Sequence, residues 1–76
     1  GKADGIRATL ERFDLKREEV IAFGDGDNDR GMLALAGIGV AMGNGGEQIK
    51  AAADYVTDAV DRGGVSKALR HFGLLP

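Results

Sequence analysis

The stretch Val20-Ile21-Ala22-Phe23-Gly24-Asp25-Gly26-Asp27-Asn28-Asp29 decides the fold of this 76-residue chain. Its first four residues are apolar and lie between charged residues and a Gly-Asp pair, which is typical of a buried parallel strand. A helix-like run, residues 32–36, follows the acidic residues. The acidic loop therefore lies where a strand ends and a helix begins, and in open α/β sheets ligands bind at the carboxyl ends of the strands.

The loop contains three carboxylates and one carboxamide. Carboxylates this close together repel one another unless a cation or basic groups neutralise them. Mg²⁺ is a candidate because it prefers oxygen ligands. Asp25 follows the strand directly and is the best candidate for a metal ligand, while Asn28 can donate a hydrogen bond to a phosphate oxygen. Asp29 can orient a nearby cation or accept hydrogen bonds from the backbone.

Two other interpretations compete for the same loop. It can be a simple turn in which Asp27 or Asn28 caps the following helix. It also imitates the alternating Asp ligands of a calcium-binding EF-hand loop. The EF-hand pattern fails, because Gly31 comes one residue late and Ala36 stands where a bidentate Glu is required. A strand-like run, not a helix, also precedes the loop.

The rest of the chain alternates between helical and extended patterns. Ile6, Leu10 and Phe13 predict an amphipathic helix over residues 4–13, followed by a polar connector over residues 14–19. Further strands are predicted over residues 38–42 and 55–57, and further helices over residues 47–53 and 65–72. Another helix is predicted after the acidic loop, where Asp27 or Asn28 can cap it and Gly37 can end it. The resulting order, αβαβαβα, predicts an α/β fold with about three parallel strands and at least one open sheet edge.

The turn Gly43-Asn44-Gly45-Gly46 is ambiguous. Its glycines allow backbone conformations with positive φ. Because it follows a strand and precedes a helix, it can place backbone N–H groups near a ligand. A tight strand-to-helix turn without any ligand explains the same residues.

Composition excludes several classes of function. The net charge of −2, with scattered Lys and Arg, argues against a nucleic-acid partner. No apolar run approaches the ~20 residues of a membrane span, so no membrane partner is expected. The absence of cysteine is compatible with the cytosol, and we expect a cytoplasmic protein. His71, the only histidine, falls in the last turn of a helix, where the dipole favours a cation, which argues against a catalytic role.

The chain resembles the haloacid dehalogenase (HAD) superfamily, and within it the Cof-type sugar-phosphate phosphatases. The resemblance lies in residues 20–29, in Gly39-Val40-Ala41-Met42-Gly43-Asn44, in Ala51-Ala52-Ala53-Asp54-Tyr55-Val56-Thr57 and in residues 63–69. It implies a partial Rossmann-like, three-layer fold. It also implies that residues 1–76 form one domain, the C-terminal segment of a HAD-like catalytic core.

The resemblance assigns a role to four residues. Asp25 corresponds to the Mg²⁺ ligand of the acidic motif, and Asn28 to the residue that contacts the substrate phosphate. Lys2, which by itself reads as a solvated terminal residue, falls at the spacing of the family's phosphate-binding lysine. Asp29 corresponds to the partner of that lysine. Ala3 departs from the family, which usually has Gly after the lysine.

Other parts of the family pattern have no counterpart here. Family members begin with a strand bearing Asp-x-Asp, whose first Asp is the nucleophile, and Cof-type members carry an inserted cap domain that selects the substrate. The chain opens on Gly1-Lys2, so we expect a piece of a longer Mg²⁺-dependent phosphatase acting on small phosphomonoesters. Its partners would be a small phosphorylated substrate and the missing N-terminal part. The isolated piece is expected to be inactive.

A second hypothesis belongs to a different class of function. The chain can instead be a non-catalytic α/β mini-domain, truncated or designed, that folds by itself. The predicted open edge beside residues 20–23 would then favour self-association.

Overall fold

The computed structural model describes all residues from Gly1 to Pro76. The four α-helices are α1 (Lys2–Arg12), α2 (Arg30–Leu35), α3 (Glu47–Ala52) and α4 (Gly64–His71), and the three strands are β1 (Ile21–Gly24), β2 (Ile38–Ala41) and β3 (Tyr55–Val56). Short 3-10 segments cover Arg17–Glu19, Asp27–Asp29 and Val60–Arg62. The predicted αβαβαβα order is confirmed.

The strands form one parallel sheet in the order β1-β2-β3. Phe23 pairs with Val40, and Val40 pairs with Tyr55, so the three strands end close together. Their carboxyl ends consequently meet at one edge of the sheet, which the acidic loop leaves at Asp25.

Helices cover both faces of the sheet. On one face, Ala22 and Ala41 pack with Leu33 of α2 and Ile49 of α3 in the main apolar cluster. On the other face, the ring of Tyr55 stacks on that of His71 of α4, with 4.1 Å between the ring centroids. Because successive strand residues point to opposite faces, these contacts define three layers. The predicted α/β fold, with three layers and three parallel strands, is confirmed.

Helix α1 differs from the prediction at both ends. The helix begins at Lys2, two residues before the predicted start at residue 4. The earlier start is stabilised by two hydrogen bonds: the N–H of Asp4 donates to the carbonyl of Gly1, and the terminal ammonium donates to the Asp4 carboxylate. It ends before Phe13, since Asp14 turns the chain with a positive φ of 52°. Ile6 and Leu10 are half-buried as the pattern indicates, but Phe13 is 62% exposed.

One prediction about turns is wrong, and the turn over residues 43–46 does not use the conformational freedom that its glycines allow. Neither Asp27 nor Asn28 caps the following helix with its side chain; the chain forms a 3-10 turn over these residues and α2 begins at Arg30. None of the glycines in residues 43–46 has a positive φ. Gly43 is needed for close approach instead, since a Cβ there would lie 2.9 Å from the Ala59 nitrogen.

Other element boundaries shift by one or two residues, and the connector before β1 contains a 3-10 turn. None of the four helices has the length and apolar character required to span a membrane.

The packing of α2 on β2 predicts a large effect of adding one methyl group. A Cβ on Gly39 would lie 2.7 Å from the Leu33 carbonyl oxygen, so we expect Gly39→Ala to lower the free energy of unfolding by about 1–3 kcal/mol. The control is Gly5→Ala in α1, where a Cβ meets nothing within 4 Å. This control should raise stability by about 0.5–1 kcal/mol. Urea denaturation measures both, and an unchanged Gly39→Ala would contradict the packing.

Candidate functional site

A cavity of about 310 Å³ lies at the carboxyl edge of the sheet. Its charged lining residues are Lys2, Asp25 and Asp29, and its apolar ones are Phe23, Met42, Val60 and Val65. A second cavity, of about 490 Å³ between α1 and the sheet, is larger, but Lys2 is its only charged lining residue. The chemistry of the chain is therefore concentrated in the first cavity, beside the acidic loop.

An ion pair connects the two ends of this site. The Nζ of Lys2, in the first turn of α1, donates a hydrogen bond to Oδ1 of Asp29, 27 positions further along the chain. Asp29 is buried, with 3% of its surface exposed, whereas about half of the Lys2 side chain remains in solvent. The lysine end thus remains accessible to a ligand while the carboxylate does not.

The second carboxylate oxygen of Asp29 shapes the loop. Oδ2 accepts hydrogen bonds from the N–H groups of Asp25 and Gly26, each at 3.2 Å. Gly24 permits this arrangement, because a Cβ there would lie 2.6 Å from the Cβ of Asp29. The hydrogen bond from Lys2, with those from the two N–H groups, holds the pKa of Asp29 below its ordinary value against the opposing effect of burial.

Asp25 is the carboxylate that the loop leaves available. It is exposed at the end of β1, and its only side-chain partner is Asn44, whose Nδ2 donates to Oδ2 over 3.4 Å. Asp27 and Asn28 are also exposed, but neither lines the cavity. The structure therefore brings Lys2, Asp25 and Asp29 together and places Asn28 outside them.

The donor set fits a magnesium ion only in part. No three His, Cys, Asp or Glu residues are grouped so that they could hold a metal. Lys2 neutralises Asp29, so one of the three carboxylates of the loop is compensated by a basic group of the chain itself. Asp25 offers one carboxylate, and Mg²⁺ is commonly bound through one or two carboxylates with water and substrate phosphate completing its shell. Asp25 can therefore supply one ligand of such a site.

Several competing interpretations are now decided. The acidic loop follows β1, a strand, so it is not an EF-hand loop, which requires a helix there. His71 lies in the last turn of α4, stacked on Tyr55, and does not line the cavity.

Sequence reasoning missed Asn44 and Val60. The only signal for Asn44 in the sequence is that it is a polar residue in a glycine turn after the neighbouring strand. The same turn is explained equally well without a functional role.

A sequence profile of the haloacid dehalogenase-like hydrolase family matches residues 1–69. The chain belongs to this family. The HAD resemblance seen in the acidic loop is thereby confirmed.

Three similar proteins illustrate the relationship. The "uncharacterized protein in pdhA 5'region" of Geobacillus stearothermophilus is 45% identical over 99% of this chain and 79% of its own length. The 5-amino-6-(5-phospho-D-ribitylamino)uracil phosphatase YcsE of Bacillus subtilis is 44% identical over 96% of this chain and 29% of its own. The solved structure of the HAD subclass IIB sugar phosphatase BT4131 is 50% identical, with a TM-score of 0.90, and the match covers 97% of this chain and 28% of that one. This HAD chain thus spans less than a third of the two phosphatases.

Removing the positive charge of Lys2 should destabilise the fold more than removing a positive charge from an exposed ion pair of the same helix. Lys2→Met leaves Asp29 buried without its cation, so we expect the free energy of unfolding at pH 7 to fall by about 1–2 kcal/mol, a value moderated by the exposure of Lys2. The control is Arg7→Met, on the same helix. It removes an exposed 3.3 Å pair with Asp4 and should cause no measurable change.

The same variant has a defined pH dependence. Since the folded pKa of Asp29 is lowered, the pair contributes fully above the ordinary value of 3.8 and loses its contribution as the pH falls through the folded pKa. The difference between the wild-type chain and Lys2→Met should therefore shrink in acid. Urea denaturation between pH 7 and pH 3 measures it. A difference that is absent at pH 7, or equal for Arg7→Met, would contradict the role of the pair.

Proposed function

We propose that this chain is the C-terminal segment of the catalytic core of a Mg²⁺-dependent HAD phosphatase that hydrolyses small phosphomonoesters, with sugar phosphates as the favoured class. The observation that carries the proposal is the arrangement of Lys2, Asp29 and Asp25 around one cavity. It combines an exposed ammonium, fixed by a buried carboxylate, with a free carboxylate at the end of a strand. The names of the related phosphatases support the substrate class.

The charges of these groups suit a joint metal and phosphate site. Lys2 and Asp29 neutralise each other, so Asp25 leaves the cavity with one uncompensated negative charge, which disfavours an anionic ester. A divalent cation held by Asp25 would reverse the sign and supply electrostatic stabilisation of a transferring phosphoryl group. The Lys2 ammonium would then bind and orient a phosphate oxygen.

Asn28 has the least direct support among the proposed site residues. Its amide can donate to a phosphate oxygen, but its side chain lies outside the cavity that Lys2 and Asp25 line. In the proposal it contacts the phosphate from the rim of the loop.

Nucleophilic attack on the phosphorus belongs to a residue outside this chain. In the proposed reaction the carboxylate of that residue forms a bond to phosphorus while the P–O bond of the ester breaks and the alcohol leaves; water then hydrolyses the aspartyl phosphate, which releases phosphate and restores the carboxylate. Within residues 1–76, the carboxylates of the cavity are engaged otherwise: Asp29 is buried in its ion pair, and Asp25 is assigned to the metal.

Magnesium binding is the direct test of the proposal. We expect a Mg²⁺ titration, followed by amide NMR shifts, to perturb residues around Asp25, and Asp25→Asn to weaken binding at least about tenfold, since even changes outside a metal's direct ligands commonly cost that much. The matched control is Asp27→Asn, which removes the same charge from an exposed position of the same loop and should leave affinity nearly unchanged. Equal effects of the two variants would indicate nonspecific attraction and contradict the assignment of Asp25.

Turnover provides a second test. The pure 76-residue chain should not hydrolyse p-nitrophenyl phosphate in the presence of Mg²⁺, because both carboxylates of the cavity are engaged, Asp29 in its ion pair and Asp25 with the metal. The rate should match that of a buffer blank and of Asp25→Asn. Robust, Asp25-dependent hydrolysis would show that the chain carries its own nucleophile and would refute this part of the proposal.

One observation favours a second candidate, a non-catalytic domain that self-associates. The carbonyls of Val20 and Gly24 accept hydrogen bonds from Ile38 at the start of β2 and from Met42 just after its end. The intervening Ile21 and Phe23 therefore turn their backbone groups toward the outer edge of the sheet. Such an edge can pair with another strand. Sedimentation velocity over a hundredfold concentration range separates the candidates, and a strict monomer would exclude self-association.

A further inference from the structure

We infer that Asn44 is a positioning residue that connects the carboxylate of Asp25 to the turn at Val60, so that the loops after all three strands act as one unit around the cavity. The inference rests on the proposed function for the role of Asp25, but the connection itself concerns groups present in the structure. Asn44 would touch neither metal nor phosphate; it would act through Asp25 and Val60.

Both ends of the Asn44 amide are used, and in different directions. Its Nδ2 donates to Oδ2 of Asp25 over 3.4 Å, and its Oδ1 accepts from the backbone N–H of Val60 at 3.1 Å. The two partners lie 19 positions before and 16 positions after it. One exposed side chain thus joins the loop after β1 to the segment after β3.

Hydrogen bonds that do not involve the Asn44 side chain hold the backbone on both sides of this residue, so the position from which its side chain extends is fixed. The N–H of Gly43 donates to the carbonyl of Asp58 at 3.2 Å, and the N–H of Gly45 donates to that of Met42 at 2.9 Å. A Cβ on Gly45 would also lie 3.0 Å from the carbonyl oxygen of Asp25, so the turn lies directly against the acidic loop.

The function of the connection follows from what its two ends do. The Asn44 amide is uncharged, so it orients Asp25 while leaving the charge of that carboxylate intact, through a contact of 3.4 Å that is longer than an ordinary N–H···O hydrogen bond. Val60 is 65% exposed and lines the cavity. The N–H groups of Arg62 and Gly64 close its turn on the carbonyl of Ala59, and the bond from the Val60 N–H to Asn44 joins that turn to the loop after β2. A change at Asp25 should therefore reach Val60 through Asn44.

The first experiment needs no metal. Amide hydrogen exchange by NMR should show the Val60 N–H exchanging about three- to tenfold faster in Asn44→Ala than in the wild-type chain, the factor expected for one hydrogen bond. Asn44→Asp retains an acceptor for Val60 but replaces the donor facing Asp25 with a second carboxylate, so it should restore only part of the protection. Gln48→Ala, at an exposed position of α3, is the control and should change nothing.

A double-mutant cycle separates positioning from a purely structural role. Asp25→Ala should speed Val60 exchange in the wild-type background but not in the Asn44→Ala background, whereas Asp27→Ala should have no effect in either. Unchanged Val60 exchange in Asn44→Ala, or additive effects of Asp25→Ala and Asn44→Ala, would overturn the inference.

A Mg²⁺ titration then tests the link to the site. In the wild-type chain the Asn44 side-chain amide and the Val60 N–H should shift with the same apparent Kd as Asp25, and in Asn44→Ala the Val60 shift alone should disappear. A Val60 shift that persists in Asn44→Ala contradicts the inference. If no residue responds to Mg²⁺, the proposed metal role of Asp25 fails, while the exchange measurements still decide the connection through Asn44.

Discussion

The geometry of the site depends on how one buried carboxylate is compensated. Asp29 is 3% exposed, and an ionised group at that depth is costly unless it is paired and hydrogen-bonded. Lys2 satisfies one oxygen, and two backbone N–H groups of the acidic loop satisfy the other. The same three bonds that make the burial tolerable also attach α1 to the sheet and fix the path of the loop. The buried Asp29 thus stabilises the loop conformation in which Asp25 lines the cavity.

The parallel sheet explains why groups distant in sequence meet here. Each strand is short, four residues or fewer, but all three end at the same edge, so every loop that follows a strand begins within reach of the others. Asp25 follows β1, Asn44 lies in the turn after β2, and Val60 lies beyond β3. A Cβ at position 39 would collide with Leu33 of α2, and a Cβ at position 24 would collide with Asp29. Glycine at both positions therefore allows α2 and the acidic loop to pack closely against the sheet. The apolar packing and the polar site are in this sense parts of one arrangement.

The sequence predicted the fold better than the contacts within the site. The strands and the order of elements follow from local apolar patterns, and these were recovered with boundaries shifted by one or two residues. The ion pair of Lys2 spans 27 positions, and no local pattern carries such information, so only the family resemblance indicated it. The cap expected from Asp27 or Asn28 did not form, because the chain makes a 3-10 turn over these residues, in which the N–H of Asp29 donates to the carbonyl of Gly26. Phe13 was assigned to the apolar face, but the helix ends one residue before it. The role of Asn44 was not predicted, because its hydrogen-bond partners lie on two other loops that are distant in sequence.

The distribution of charge explains why two aspartates that line the same cavity, Asp25 and Asp29, have different roles. If Asp25 and Asp29 were equally exposed, both would compete for Lys2 and for any bound cation, and neither would have a defined role. Burial removes this competition. A carboxylate is buried without a large free-energy cost only if it accepts hydrogen bonds, and Asp29 accepts two from the N–H groups of its own loop. That carboxylate takes the lysine, and its pKa is lowered, so it remains ionised over the physiological range. Asp25, which lies too close to the strand end to accept these bonds itself, keeps its charge directed at the cavity. The two identical side chains therefore differ in function through hydrogen bonding and depth alone, and Asp27, exposed and outside the cavity, takes part in neither task.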